Sequence, residues 1–541
     1  MVSDGAAPRI LPMGERALLV ETASLEHVLA LHARLAASRP DGVVDLVPAA
    51  RTVLVRIDPG VLSVSAARSW IAHAPAVAAS RSAVDAVVEL DVTYDGPDLG
   101  ETAELLGVTA DELVRRHADA VWTVAFTGFA PGFGYLVSAD WPFDVPRLAT
   151  PRTRVPAGSV GVAAGFAGAY PRETPGGWRL VGTTRAVLFD PDAASPALLA
   201  PGTRVRFRAV RGAARASAAP PPQPDRATSV HPRRSDAPRV HGSGADAVRG
   251  GADATLRIVD PGLLATVQDL GRAGAASLGV APSGALDRSA LRTANRLVGN
   301  PEDAAGVEVT MGGLRAVAER DTWFAIAGAW GRVELDGRDV DPYEAHAWPA
   351  GAELHLDWFA HGARAYLAVR GGVDTATALG SSATDVLAGL GPAPLHAGDA
   401  LAVGTASAPI PVPGIAPWGA PHDDEVEIEL APGPRADWFA PSALAALFEQ
   451  AWTVTNDADR VGMRLDGPEL ARTRDGELPS EGMVPGAVQV PLAGRPVVLL
   501  ADGPVTGGYP VIAVVTDASL DRLAQARPGT RIRFRHARPP R

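Results

Sequence analysis

The residues of this chain best suited to chemistry are arginines and carboxylates set among glycine and proline in two distant stretches. Between Gly128 and Trp178 stand GFAPGF, PRTRVPAGS and PRETPGGW, and between Ser480 and Pro510 stand SEGMVPG and TGGYP. Glycine permits positive φ or close approach of a ligand to the backbone, proline fixes φ, and arginine offers a planar fork suited to phosphate or carboxylate. Loops of this makeup hold anions. In GFAPGF, Gly128 and Gly132 supply the freedom, Pro131 stiffens the turn, and Phe129 and Phe133 can anchor it. Arg152, Arg154, Arg172 and Arg179 fall near the glycine turns that follow, with Glu173 beside Arg172. In the second half Asp287, Arg288 and Asn295 stand at a loop and along the helix after it, Arg460 lies in NDADRVGMRLDG, and Glu481, Thr506 and Tyr509 are flanked by glycines that leave room for a small ligand. A tight hairpin and surface ion pairing would use the same residue types, so for each single residue a turn-stabilising role competes with catalysis.

The elements that must position these residues are legible in outline. Ala17–Glu21 and Thr52–Ile57 read as strands, while Ser24–Leu35 and Ser63–His73 have apolar residues at helical spacing, making a small α/β unit. TADE places Thr109 as N-cap with Glu112 three residues later, a capping box that starts a helix to about His117 and delivers the chain into GFAPGF. The spacing of Leu286, Leu291, Ala294 and Leu297 predicts another helix, and Ser442–Ala451 a third. PGTRVRF at Pro201–Phe207 recurs as PGTRIRF at Pro528–Phe534, with weaker copies in GAELHL from Gly351 and GDALAV from Gly398. Each copy is a turn followed by period-two alternation, which predicts repeated small β-barrels closed by similar last strands.

At 541 residues and 47% hydrophobic the chain is too long for one core. Periodicity disappears into Ala, Pro, Ser, Gly and Arg from Arg211 to Asp253, so a flexible linker is expected there. The expected division is 1–85, a small α/β subdomain; 86–210, a first barrel; 211–253, the linker; 254–405, a second barrel; and 406–541, a third.

All 50 basic residues are arginine, and cysteine is absent. That removes a Walker A lysine, a Schiff-base or amidase lysine, a biotinyl-lysine on this polypeptide, thiol nucleophiles and disulfides. The 61 acidic residues set a net charge of −11, which disfavours nucleic acid as a partner. The sequence shows neither a signal-like start nor an apolar run of about 18 residues, so a cytoplasmic protein without a membrane partner is expected. The 12 histidines show no paired-ligand spacing, no metal site is expected, and His117, His355 and His361 are read as structural or solvent-facing.

Residues 1–210 resemble the KipI-like family, or the B component of bacterial 5-oxoprolinase, on GFAPGF-Y-L, ATPRTRVPAGSV and YPRETPGGWRLVG. Residues 254–541 resemble the KipA-like family, or the C component, on DPGLLATVQDLGR, SGALDR-ALR-ANRLVGN, GGVD, DADRVGMRLDG, SEGMVPGAVQVP and TGGYP. In related proteins the two parts are often separate polypeptides; here they are joined. Phe166 departs from the pattern, standing where relatives carry glutamine, so no polar role is expected at that position.

The resemblance implies a mainly β, α+β architecture of cyclophilin-like barrels shared with the carboxyltransferase part of urea carboxylase. It also implies ATP-dependent opening of 5-oxoproline to glutamate in a hetero-oligomer with a separate A component of the LamB/YcsF type, with magnesium arriving with ATP. A lactam is a poor electrophile, and phosphorylating its amide oxygen makes that oxygen a leaving group before water attacks. Such a path needs anion clamps more than a nucleophile. On that basis Arg152, Arg154, Arg172 and Arg179 would bind phosphate or carboxylate, and Asp287, Arg460 and Glu481 would line a site in the second half. Two other readings stay open: a carboxyltransferase served by an external biotin carrier, and a regulator of a sensor histidine kinase. Allophanate hydrolysis by a Ser-Ser-Lys amidase is excluded for a chain without lysine.

Overall fold

The computed structural model describes residues 8–75, 87–211, 254–412, 419–421, 424–476 and 478–537. Apart from Arg211, the expected linker lies outside the described residues. The chain is mainly β, with few helices.

At the N-terminus four antiparallel strands, Arg9–Pro12, Ala17–Glu21, Val43–Pro48 and Thr52–Ile57, lie in the order first, second, fourth, third. Their residues read as apolar runs rather than alternating because both faces are covered. Leu18, Val20, Val53 and Val55 pack with Val28, Leu31 and Ile71 of helices Leu25–Ala37 and Val64–His73. Ala17, Leu19 and Leu54 pack instead with Met483, Ala487 and Val514, so this sheet is glued to the far end of the chain.

The next unit is a seven-stranded sheet whose two edge strands are joined by the antiparallel Thr93–Thr183 bridge, which curls it into a barrel. Thr109 caps helix Ala110–Asp119, its hydroxyl accepting the Glu112 N–H at 3.2 Å, which is one half of the capping box; the Glu112 carboxylate accepts instead from Arg115 and Arg116. The helix leads into strand Trp122–Thr127, and the closing strand Arg204–Ala209 lies between it, antiparallel, and Val87–Val92, parallel. The last unit is a closed barrel with the same plan. Helix Pro441–Glu449 leads into Ala451–Ala458, and Arg531–His536 pairs antiparallel with that strand and parallel with Glu425–Pro432. The helix read over 442–451 ends earlier, at Glu449, because Ala451 already belongs to the strand.

The PGTR[VI]RF pair thus marks equivalent strands, and the details agree. The Trp122 indole donates to the His117 carbonyl at 3.0 Å, and that of Trp452 to the Leu447 carbonyl at 3.1 Å. Gly202 N–H donates to Val124 O at 2.7 Å, and Gly529 N–H to Val454 O at 2.8 Å. Phe207 and Phe534 are both buried.

Between these barrels, a seven-stranded and a five-stranded sheet enclose one core that includes Leu256, Ile258, Val307, Leu314 and Leu367. Here the four-copy repeat is corrected. GAELHL forms strand Glu353–Leu356, set between Leu314–Ala318 and Val333–Leu335, and GDALAV forms Ala400–Val403, antiparallel to Ala254–Pro261. Neither closes its unit by parallel pairing, since a glycine turn with alternation specifies a strand but not its neighbour.

Candidate functional site at the junction of the halves

The two glycine-rich stretches singled out in the sequence meet. The loop after Trp122–Thr127 reaches into the second half: Thr127 Oγ1 donates to the Ser277 carbonyl, Gly132 N–H to Leu278 O at 2.9 Å, and Phe129 N–H to Thr506 Oγ1 at 3.3 Å. A Cβ on Gly128 would overlap Thr506 Oγ1, so this approach requires glycine. Phe129 adopts φ 67°, a left-handed conformation costing roughly 1–2 kcal/mol for a residue with a side chain. The residue is 39% exposed, and its ring stands edge-on to Phe133 and Tyr170, at 5.4 and 6.2 Å between centroids. Behind it Phe133, Tyr135, Tyr170 and Trp178 pack edge to face, and Tyr509 of the second half is 37% exposed.

Each stretch contributes a two-stranded ribbon: Arg152–Val155 with Thr174–Gly176 in the first half, Glu481–Gly482 with Thr506–Gly507 in the second. The four arginines of the first half do not converge on a single clamp. Arg152 pairs with Asp98 at 2.6 Å and Arg179 with Glu101 at 3.0 Å, both carboxylates lying at or in helix Leu99–Leu105. Arg154 pairs with Glu173 at 2.6 Å on the surface. Among the described residues Arg172 has no carboxylate within ion-pair distance; its Nη1 donates across the junction to the Leu387 carbonyl. Arg288 is a strut to helix Asp517–Leu523, with Asp517 at 2.8 Å and Asp521 at 3.1 Å.

Asp287, Arg460 and Glu481 do not line one site either. Arg460, 1% exposed, bonds Glu308 at 2.6 Å, Asp502 at 2.9 and 3.0 Å, and the Gly284 carbonyl at 2.7 Å. Glu308 accepts from the Tyr366 hydroxyl at 2.7 Å, and that hydroxyl accepts the Asp287 N–H at 2.8 Å. Asp287 is the N-cap of helix Arg288–Leu297, its carboxylate accepting from Ala290 N–H, Ser289 and Gln525. Burial pushes the Glu308 carboxyl up, but Arg460 and Arg364 outweigh it and hold it below its ordinary value; burial raises Asp287 despite its donors. Glu481 lies apart, paired at 3.0 Å with Arg435, which also reaches Glu21 at 3.2 Å. In this conformation Asp287 and Arg460 are saturated and sealed, and they weld the middle unit to the last barrel.

Glu308 and Asp502, the carboxylates that matter most to this network, escaped the sequence reading. The one signal was a lone charge in the apolar strand GVEVT, a residue type that is rarely buried unless paired. A neighbouring pair, Arg272 and Asp385, has fully buried side chains with Nη1 and Oδ2 4.0 Å apart and neither atom hydrogen-bonded among the described residues. Burial, then Asp502, pushes the Asp385 carboxyl up to about 6 against the pull of Arg272. His117 is core: it stacks on Phe207 at 4.3 Å and lies 2.8 Å from the Tyr94 hydroxyl, and burial lowers its pKa to about 3, so it is neutral. Among the described residues no group of three or more His, Asp or Glu is placed to hold a metal ion, and no helix is long and apolar enough to cross a membrane.

Comparison with known proteins matches residues 8–199 to the carboxyltransferase domain, subdomain C and D, and residues 278–536 to the carboxyltransferase domain, subdomain A and B. The second half is 39% identical over 285 residues to the C component of 5-oxoprolinase from Escherichia coli K12, covering 52% of this chain and 90% of that protein. Part of the first half is 46% identical over 123 residues to the B component of 5-oxoprolinase from Escherichia coli O157:H7, covering 22% of this chain and 56% of that one. The crystal structure of TTHA0988 superposes with a TM-score of 0.81 at 36% identity, covering 96% of this chain and 99% of that one. The chain therefore belongs to the carboxyltransferase-domain family, with subdomains C and D joined ahead of subdomains A and B in one polypeptide.

Proposed function

We propose that this chain is the fused B and C part of an ATP-dependent 5-oxoprolinase, converting 5-oxo-L-proline to L-glutamate with a separate A component of the LamB/YcsF type in the cytoplasm. The observation that carries this reading is the junction. The segment resembling the B component inserts its glycine-rich loop between Leu278 and Thr506 of the segment resembling the C component, so a site there needs both. MgATP is a co-substrate. Once phosphate from ATP sits on the lactam oxygen, water adds to the ring carbon and the C–N bond breaks, leaving an acyl phosphate that a second water takes to glutamate and inorganic phosphate. Gly128, Phe129, Gly132, Arg172, Thr506 and Tyr509 face the reacting molecules, and the buried network holds the frame.

The test is glutamate and ADP release from 5-oxoproline plus MgATP, with the chain alone and mixed with its LamB/YcsF-type partner. Turnover in the mixture only is the expected result. A second reading, a carboxyltransferase fed by an external biotin carrier, is favoured by one observation: both matching family models are carboxyltransferase subdomains. Absence of turnover with a folded partner, together with carboxyl transfer from a carboxylated biotin carrier, would replace the first reading by the second.

A further inference from the structure

Of the four arginines in the glycine-rich stretches of the first half, three already face carboxylates: Arg152 with Asp98, Arg154 with Glu173, Arg179 with Glu101. Arg172 differs. It is half-buried, Asp385 acts on it only from beyond ion-pair distance, and one N–H group is committed, to the Leu387 carbonyl. Among the described residues its other N–H groups have no partner, and they are not sealed from solvent. A guanidinium partly withdrawn from water with most of its fork unused is arranged for an anion that the described residues do not pair with it.

Tyr170, two residues earlier, stands edge-on to Phe129, whose ring is exposed although its backbone is strained. Thr506 and the missing Cβ of Gly128 hold it so. An exposed aromatic ring held at such a cost points to a role outside the fold.

We propose that the junction binds a small, flat carboxylate, with Arg172 taking the carboxylate group and Phe129 covering one face of the molecule. Under the function proposed above, on which the choice of ligand rests, that molecule is 5-oxoproline. Both halves set the site, because Leu387 orients Arg172 and Thr506 orients Phe129.

The test is saturation-transfer NMR on the full chain with 5-oxo-L-proline and with 2-pyrrolidinone, the same ring without its carboxylate. The wild type should prefer the carboxylate at least tenfold. Arg172→Gln should erase that preference while unfolding within a few degrees of the wild type, and Phe129→Ala should weaken both ligands alike. If Arg172→Gln loosens the junction, Arg172→Lys carries the test, since it keeps the charge but loses the fork. A severalfold smaller preference supports the assignment and an unchanged one overturns it. No binding of either ring to the wild type, or an equal affinity for both, also overturns it. Failure of glutamate release with the carboxylate preference intact would sink the proposed reaction and leave the site standing.

Discussion

The first and last barrels share a closing strand, a helix-led entry and a buried tryptophan, yet the loop at one equivalent position does opposite things in the two. In both, the strand after the helix turns back on its neighbour, with Val124 opposite Leu136 and Val454 opposite Leu465. In the first barrel that turn is GFAPGF, uncharged, with an exposed and strained phenylalanine at the junction. In the last it is DADRV, and its arginine is buried against Glu308 and Asp502. A duplicated frame has put one loop to presenting a surface and the other to fastening the units together. Equivalent position in a repeat therefore carries the fold across, but not the role.

The comparison is broken most severely at Arg460. Arg460→Met takes the hydrogen-bonded guanidinium from two buried carboxylates, leaving Glu308 only Arg364 at 3.9 Å, and should cost about 3–5 kcal/mol in urea unfolding. A loss under about 1 kcal/mol would mean that water reaches them and that the fastening role is wrong. On the other loop, Gly128→Ala pushes a methyl into Thr506 and should cost about 1–3 kcal/mol. Combining it with Thr506→Gly should recover part of the loss, and strict additivity in that double-mutant cycle would mean the two residues do not meet.

Asp385 tests the fastened region by pH. Its folded pKa, about 6, is raised above the ordinary value, so the fold favours the protonated form. The stability this contributes is present at pH below about 4 and is lost as pH rises through about 6. Asp385→Asn should flatten that slope and stabilise the protein by about 1–2 kcal/mol at pH ~8, less whatever Arg272 loses as its partner. An unchanged slope between pH ~4 and ~7 would rule out Asp385 as its source. The smallest effect sharpens the likeness of the frames: Trp122→Phe and Trp452→Phe each lose one buried indole bond and should cost about 1 kcal/mol apiece. Costs differing severalfold would mean that the two frames are not energetically equivalent.

How much of this was legible depends on the range of the interaction. Strands Ala17–Glu21 and Thr52–Ile57 and the Thr109 cap were readable because their signals lie within a few residues. The arginine clamp was not: the carboxylates that answer Arg152 and Arg179 stand 54 and 78 residues earlier, and nothing in glycine-arginine spacing reports them. Arg460 and Glu308 are 152 residues apart, so the sequence shows a charged loop and an odd carboxylate but not their pairing. The meeting of GFAPGF with TGGYP was half legible, since both were marked by their glycines while their contact depends on how whole barrels pack.

The fit between Gly128 and Thr506 also bears on how such a molecule can change. Where two such halves are separate polypeptides, a side chain gained on one surface has to be answered by a loss encoded elsewhere. Here one reading frame holds both surfaces, so the two changes are inherited together, and the closeness of the seam can be kept without coordinating two genes.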